Sequence, residues 1–107
     1  VNAPDLCVVA GAEDDVAAFE QTLDASDIET RRVPIRIAAH SRLLDPILDE
    51  FRSGIEDIQF HDPTSRIVSN RTGKWVRPGQ MSTPAYWVDH LRQTVRFGDG
   101  IGKNYIR

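Results

Sequence analysis

The chain has 107 residues, a net charge of −3, 40% hydrophobic and 27% charged residues, which suits one soluble globular domain with a modest core. Its lysines and arginines are scattered rather than gathered into a patch, so nucleic acid is not expected as a partner. No apolar run reaches the length of a membrane span and no basic-then-apolar leader precedes Asp5, so no membrane partner is expected and the expected location is cytoplasmic. The opening Val1-Asn2-Ala3-Pro4, without a methionine, reads as the interior of a longer polypeptide.

Residues 5–11, Asp-Leu-Cys-Val-Val-Ala-Gly, form a short β-branched run bounded by Pro4 and Gly11 and predict a buried strand. Cys7, flanked by Leu6 and Val8, is then expected to be a core residue rather than a reactive thiol. Residues 13–25 place Val16, Phe19 and Leu23 at helical spacing, with Glu13, Asp14 and Asp15 in the first turn, where carboxylates meet the positive end of the helix dipole. Residues 28–37 alternate Val33, Ile35 and Ile37 against Arg32, Pro34 and Arg36, predicting a strand that Pro34 confines to an edge. Strand, helix and antiparallel strand are half of a ferredoxin-like sandwich.

Beyond His40, Ser41 can cap an opening turn, and Asp45-Pro46 offers a second helix start. That helix is expected to run to about residues 53–54 with Leu44, Ile47, Leu48, Phe51 and Ile55 as its apolar stripe. Residues 58–60 and 66–69 read as short strands, residues 70–73 as a turn, and Trp75-Val76 as an extended piece. Thr83-Pro84 signals a capped helix carrying Tyr86, Trp87, Val88 and Leu91. Gly98, Gly100 and Gly102 weaken any structure near the end, and residues 103–107 show no pattern. A boundary suggests itself near residues 37–40, dividing the chain into 1–37 and 38–107.

The three histidines, His40, His61 and His90, and the single cysteine have no metal-ligand spacing, so no metal is expected. There is no phosphate-binding glycine loop, dinucleotide fingerprint or Gly-x-Ser-x-Gly elbow. His40, between a strand and a helix, is the best chemical candidate, because such a junction can hold a side chain rigidly yet face a cleft. By position alone, a histidine there is more often a capping or packing residue than a catalyst. His61, in a turn, and His90, on a helix among polar neighbours, read as surface residues.

Several ordered elements are nonetheless distinctive: Val8-Val9-Ala10-Gly11, Arg31-Arg32-Val33-Pro34, Ala39-His40-Ser41, Leu44-Asp45-Pro46-Ile47-Leu48, Ile67-Val68-Ser69-Asn70, Thr72-Gly73, Tyr86-Trp87-Val88, Arg92-Gln93 and Val95-Arg96-Phe97. In this order, to about Ile101, they closely resemble the C-terminal part of the acyltransferase domain of modular polyketide synthases. The resemblance implies an α/β fold: the latter part of a ferredoxin-like small subdomain over 1–37, then a C-terminal segment of an α/β-hydrolase-like large subdomain over 38–107. It implies transfer of a malonyl-type unit from coenzyme A to the phosphopantetheine thiol of an acyl carrier protein through a serine acyl-enzyme. The coenzyme A thioester is a substrate, and no cofactor is bound in this segment.

In that family a histidine at the position of His40 is the general base, and a backbone carbonyl at the position of Gln93 orients its ring. The residues before the histidine influence the extender unit, with His-Ala-Phe-His accompanying malonyl and Tyr-Ala-Ser-His accompanying methylmalonyl. Ile37-Ala38-Ala39-His40 matches neither, and malonyl is the expectation here. Implied partners are the rest of the acyltransferase domain, the acyl carrier protein, and the ketosynthase and other synthase domains. The family serine and the arginine that pairs with the substrate carboxylate lie upstream of Val1 in a full domain, so the 107 residues alone are expected to be inactive. Two alternatives stay open: a noncatalytic β/α interaction module, and a freestanding malonyl transacylase of fatty-acid synthesis.

Overall fold

A computed structural model describes the backbone of residues 1–105 and the side chains of residues 1–102; Ile106 and Arg107, in the patternless end, lie outside the described residues. Helix α1 spans Glu13–Ala25, the range its spacing predicts. Ala12 offers no side-chain cap, and Glu13, Asp14 and Asp15 occupy the first turn, near the positive end of the helix dipole. Asp27 ends the helix in the left-handed region (φ 57°), a conformation aspartate tolerates. Its amide bonds the Asp24 carbonyl (3.1 Å) and that of Ile28 the Leu23 carbonyl (3.0 Å), the two bonds of a Schellman stop. Arg32 then folds back onto α1, pairing with Glu13 (2.7 Å) and Glu20 (2.6 Å).

The two strands expected on either side of α1 do not form. Residues 3–6 make a tight turn with an isolated Ala3–Leu6 bridge, and residues 7–11 and 29–37 form no ladder, with a bend at Pro34 where Ile35 N–H bonds the Val33 carbonyl (2.8 Å). Leu6, Val8 and Val9 are exposed, Ile35 and Ile37 each 69% so, and Cys7, expected in the core, is exposed as well. Alternation determines where side chains point once a strand has a neighbour, but the ladder itself requires that neighbour's amides and carbonyls. Among the described residues no segment supplies them.

From Ser41 onward, local signals and packing agree better. The Ser41 hydroxyl accepts from the Leu43 amide (3.2 Å) and opens a 3-10 segment, Arg42–Ile47, that contains Pro46. It leads directly into α2, Leu48–Ile55. Helix α3, Pro84–Arg92, starts on the expected signals, with Thr83 Oγ1 accepting from the Tyr86 amide (3.4 Å) and Pro84 in the first turn. The 3-10 segment, α2 and α3 pack on one another around Leu44 and Tyr86, which are 9% and 8% exposed. Between α2 and α3, residues 67–76 form a small hairpin: Ser69 N–H bonds the Lys74 carbonyl (2.9 Å) and Val76 N–H the Ile67 carbonyl (2.8 Å), around the expected turn at 70–73.

Helix α4, Phe97–Tyr105, forms despite its three glycines. Close approach explains two of them: a Cβ on Gly98 would lie 3.1 Å from the Asn2 carbonyl oxygen, and one on Gly100 3.1 Å from Val68 Cγ1. The propensity cost of these glycines is set against this close approach, where a Cβ would force its neighbour to shift. Chain residues 1–3 lie against the approach to α4, with the Val1 nitrogen donating to the Val95 carbonyl (2.8 Å) and Gly98 N–H to the Val1 carbonyl (3.0 Å).

Gly73 makes a sharper case, since it combines φ 68° with a Cβ position only 2.6 Å from Asp99 Cβ. Gly73→Ala is expected to destabilise by about 1–3 kcal/mol, read as a lower denaturation midpoint, whereas Gly54→Ala, where a Cβ meets nothing within 4 Å, should not.

The result is a slab of 48 × 39 × 17 Å with a radius of gyration of 16.5 Å, wider than the roughly 13 Å of a compact chain of this length. No helix among the described residues is long and apolar enough to cross a membrane.

Candidate active site

His40 occupies a turn after residues 29–37, and its backbone is in the left-handed region (φ 59°), uncommon for a residue with a Cβ. The turn is closed locally by the Ser41 hydroxyl, which donates to the Ala38 carbonyl (2.6 Å). It is held from a distance by the end of α3. A helix leaves its last carbonyls without intrahelical partners, and here three carbonyls at that end turn toward one residue. His40 N–H donates to the Leu91 carbonyl (3.0 Å), and His40 Nδ1 lies 2.9 Å from the His90 carbonyl and 3.1 Å from that of Gln93.

Carbonyl oxygens only accept, so Nδ1 must carry the ring proton, shared between two acceptors. In the neutral ring the second nitrogen, Nε2, is then left with its lone pair. An imidazole fixed in this tautomer can take a proton from a nucleophile at Nε2 and return it to a leaving group. Ser41 does not offer that nucleophile, because its hydroxyl is committed to the Ala38 carbonyl and the Leu43 amide.

The structure thus brings His40 and Gln93, 53 positions apart, into contact through the backbone carbonyl of Gln93. Gln93 is extended (ψ 162°), just past the last turn of α3, and its amide closes that turn on the Asp89 carbonyl (2.8 Å). Ile37, Ala38 and Ala39 lead directly into His40; Ile37 is largely exposed, and the two alanines are half-buried. His61 is exposed and remote from this cluster's contacts.

His90 corrects the expectation of a surface residue. Half-buried, its ring meets that of His40 edge-on at 5.8 Å and lies beside Tyr86 (6.2 Å) and Trp87 (5.7 Å). Burial, and secondarily the neighbouring His40, push its pKa below the ordinary imidazole value. A spacing signal was present, since Tyr86 and His90 are four apart and share a helix face. Polar neighbours in sequence obscured it.

Asp45 and Arg92 form a pair that no sequence spacing signals. Arg92 Nε donates to Asp45 Oδ1 (2.5 Å), joining the 3-10 segment to the last residue of α3. Behind them, the buried Tyr86 hydroxyl and Ser69 hydroxyl are bonded (2.6 Å), and Trp87 Nε1 donates to the Met81 carbonyl (3.0 Å) while its ring stacks on Phe60. Two grooves of about 340 and 380 Å³ lie elsewhere, lined by residues including Arg66, Trp75, Arg77 and Arg96, and neither is lined by His40.

Comparison with known proteins places this arrangement in context. The acyl transferase domain family matches residues 1–105. A phenolphthiocerol/phthiocerol polyketide synthase of Mycobacterium tuberculosis is 36% identical over 99 residues, covering 92% of this chain and 7% of that protein. Polyketide synthase GfsB of Streptomyces halstedii is 40% identical over 101 residues, 94% of this chain and 2% of that protein. The chain therefore spans only a small fraction of these relatives. Among solved structures, the acyl transferase domain of SpnD, in complex with 2-(pent-4-yn-1-yl)malonyl, superimposes with a TM-score of 0.87 at 38% identity over 91% of this chain and 24% of that one. The acyltransferase domain from the second module of the salinomycin polyketide synthase gives 0.81 at 39% identity, over 91% and 22%. The chain has part of the α/β fold of these acyltransferase domains, and it belongs to the acyl transferase domain family, its relatives being polyketide synthases.

Proposed function

We propose that this chain supplies the histidine half of a serine-histidine acyltransferase, moving a malonyl-type extender unit from coenzyme A to the phosphopantetheine thiol of an acyl carrier protein. The observation that carries this reading is the bifurcated contact of His40 Nδ1 with the His90 and Gln93 carbonyls. It leaves Nε2 free to act as base. In the proposed cycle Nε2 takes the proton of a serine hydroxyl as that oxygen attacks the thioester carbonyl, and passes it to the departing coenzyme A thiolate. Nε2 then takes the proton of the carrier thiol as its sulfur attacks the acyl-serine, and returns it to the released serine oxygen. The carbonyls do the orienting that a carboxylate does in other triads.

The serine and the carboxylate-binding arginine come from outside these 107 residues, from the rest of the acyltransferase domain, with ketosynthase and other synthase domains as wider partners. The uncovered apolar residues at 6–9 and 33–37 suit that arrangement. As ladders of a ferredoxin-like small subdomain, residues 1–37 would gain the strand partners they lack, with residues 38–107 belonging to the large subdomain. Ala38 and Ala39, small and half-buried, put no bulky side chain immediately before His40. The SpnD domain is in complex with 2-(pent-4-yn-1-yl)malonyl, a substituted malonyl group; malonyl itself is the extender proposed here.

The test is labelling with radioactive malonyl-, methylmalonyl- and ethylmalonyl-coenzyme A. The intact domain containing this segment should be acylated and pass label to carrier protein, with malonyl preferred, while the 107-residue chain alone takes none. No labelling of the intact domain by any of the three overturns the function. Labelling of the short chain at the intact domain's rate overturns the dependence on an outside serine.

A further inference from the structure

Three carbonyls grip His40, and all three belong to the residues around Arg92: His90, Leu91 and Gln93. The side chain of Arg92 points back across the same junction to Asp45, in the 3-10 segment that follows His40. The turn at 38–41 is therefore anchored to the end of α3 twice. One anchor is His40 itself; the other lies further along the chain, at Asp45.

The left-handed backbone of His40 is a conformation that persists only where its surroundings over-determine it. Helix α3 also packs on α2 and the 3-10 segment, yet a small pivot of its last turn about His40 would move the carbonyls of residues 90 and 93 by different amounts. The bifurcated contact would then fall to one acceptor or none, releasing the tautomer preference. An arginine held to a carboxylate 47 positions away in sequence blocks that pivot. Pro46, immediately after Asp45 and inside the 3-10 segment, limits the backbone freedom on the other side of the bond.

We propose that Asp45 and Arg92 are a positioning pair for His40, holding the α3 carbonyls in register with its Nδ1. The proposal rests on the acyl-transfer reading for its kinetic consequence, but not for its structural one. Neither residue touches the reacting atoms in this role. With the Arg92 and Asp45 side chains 28% and 55% exposed, the pair adds little to folding; its effect is on geometry.

The intact domain is assayed with Arg92→Ala, Asp45→Ala, both together, and Arg92→Lys. Each alanine variant is expected to lower kcat by about ten- to a hundredfold, the range small misplacements of a catalytic group produce, with KM and the denaturation midpoint little changed. The double variant should lose no more than the worse single one, because the two act through one bond. Arg92→Lys should recover part of the loss. Nitrogen NMR of the His40 imidazole reads the same pair without any turnover. The intact protein should show the Nδ1–H tautomer, and the alanine variants a mixture. Unchanged kcat in both single variants, additive losses in the double variant, or an unchanged tautomer population overturns the proposal. If the unaltered domain transfers no acyl group yet the tautomer shifts as stated, the positioning pair stands and the acyl-transfer reading falls.

Discussion

His40→Asn in the intact domain is expected to lower acyl transfer by about 10²–10⁴-fold, the contribution of a positioned general base, with circular dichroism and unfolding midpoint unchanged. Asparagine is the informative replacement because it tolerates the left-handed backbone (φ 59°) that His40 adopts. Its side-chain amide can still donate toward the His90 and Gln93 carbonyls. What it lacks is the second ring nitrogen. Alanine removes the base too, but also lacks the polar side chain that eases the left-handed backbone and leaves the His90 and Gln93 carbonyls without that donor, so loss of activity in His40→Ala alone would mix two causes. Turnover retained in His40→Asn would favour a noncatalytic module in which His40 is a junction residue.

The largest effect on stability is expected at Tyr86. Its ring is 8% exposed, stands edge-on to Trp87 at 5.1 Å, and neighbours His90. Its hydroxyl bonds Ser69, which is 2% exposed. Tyr86→Ala opens a cavity beneath the histidine site and leaves Ser69 short of a partner, a loss of about 3–5 kcal/mol. Tyr86→Phe keeps the ring, and the Ser69 hydroxyl retains the Arg71 amide (3.0 Å) as a donor to it, so the expected loss is about 1 kcal/mol. Denaturant unfolding of the intact domain checks both. Equal midpoints for the two variants would mean that packing of the ring contributes nothing.

Helix α1 and the start of α3 were legible because their signals are local. An acidic first turn, a threonine followed by proline, and apolar residues at helical spacing act within one or two turns of chain. The paired strands were not realised because half of every ladder bond belongs to another segment. Helix α4 ran against its sequence signals for a related reason: glycine looks destabilising until the backbone of Asn2 and the side chain of Val68 are seen to occupy the space a Cβ would need.

At the site, a histidine at the junction beyond residues 28–37, a serine able to close the turn after it, and a helix starting at Pro84 are all written into the local sequence. The ordered family elements determined the kinship. Which groups meet His40, the carbonyls of His90, Leu91 and Gln93 and the ring of His90, and that Asp45 bonds Arg92 nearby, emerged from the packing of α3 against the turn. The physical reason is that backbone carbonyls at a helix end are present in every sequence and carry no residue signature. Their usefulness depends on where the helix stops and on what the fold sets against it.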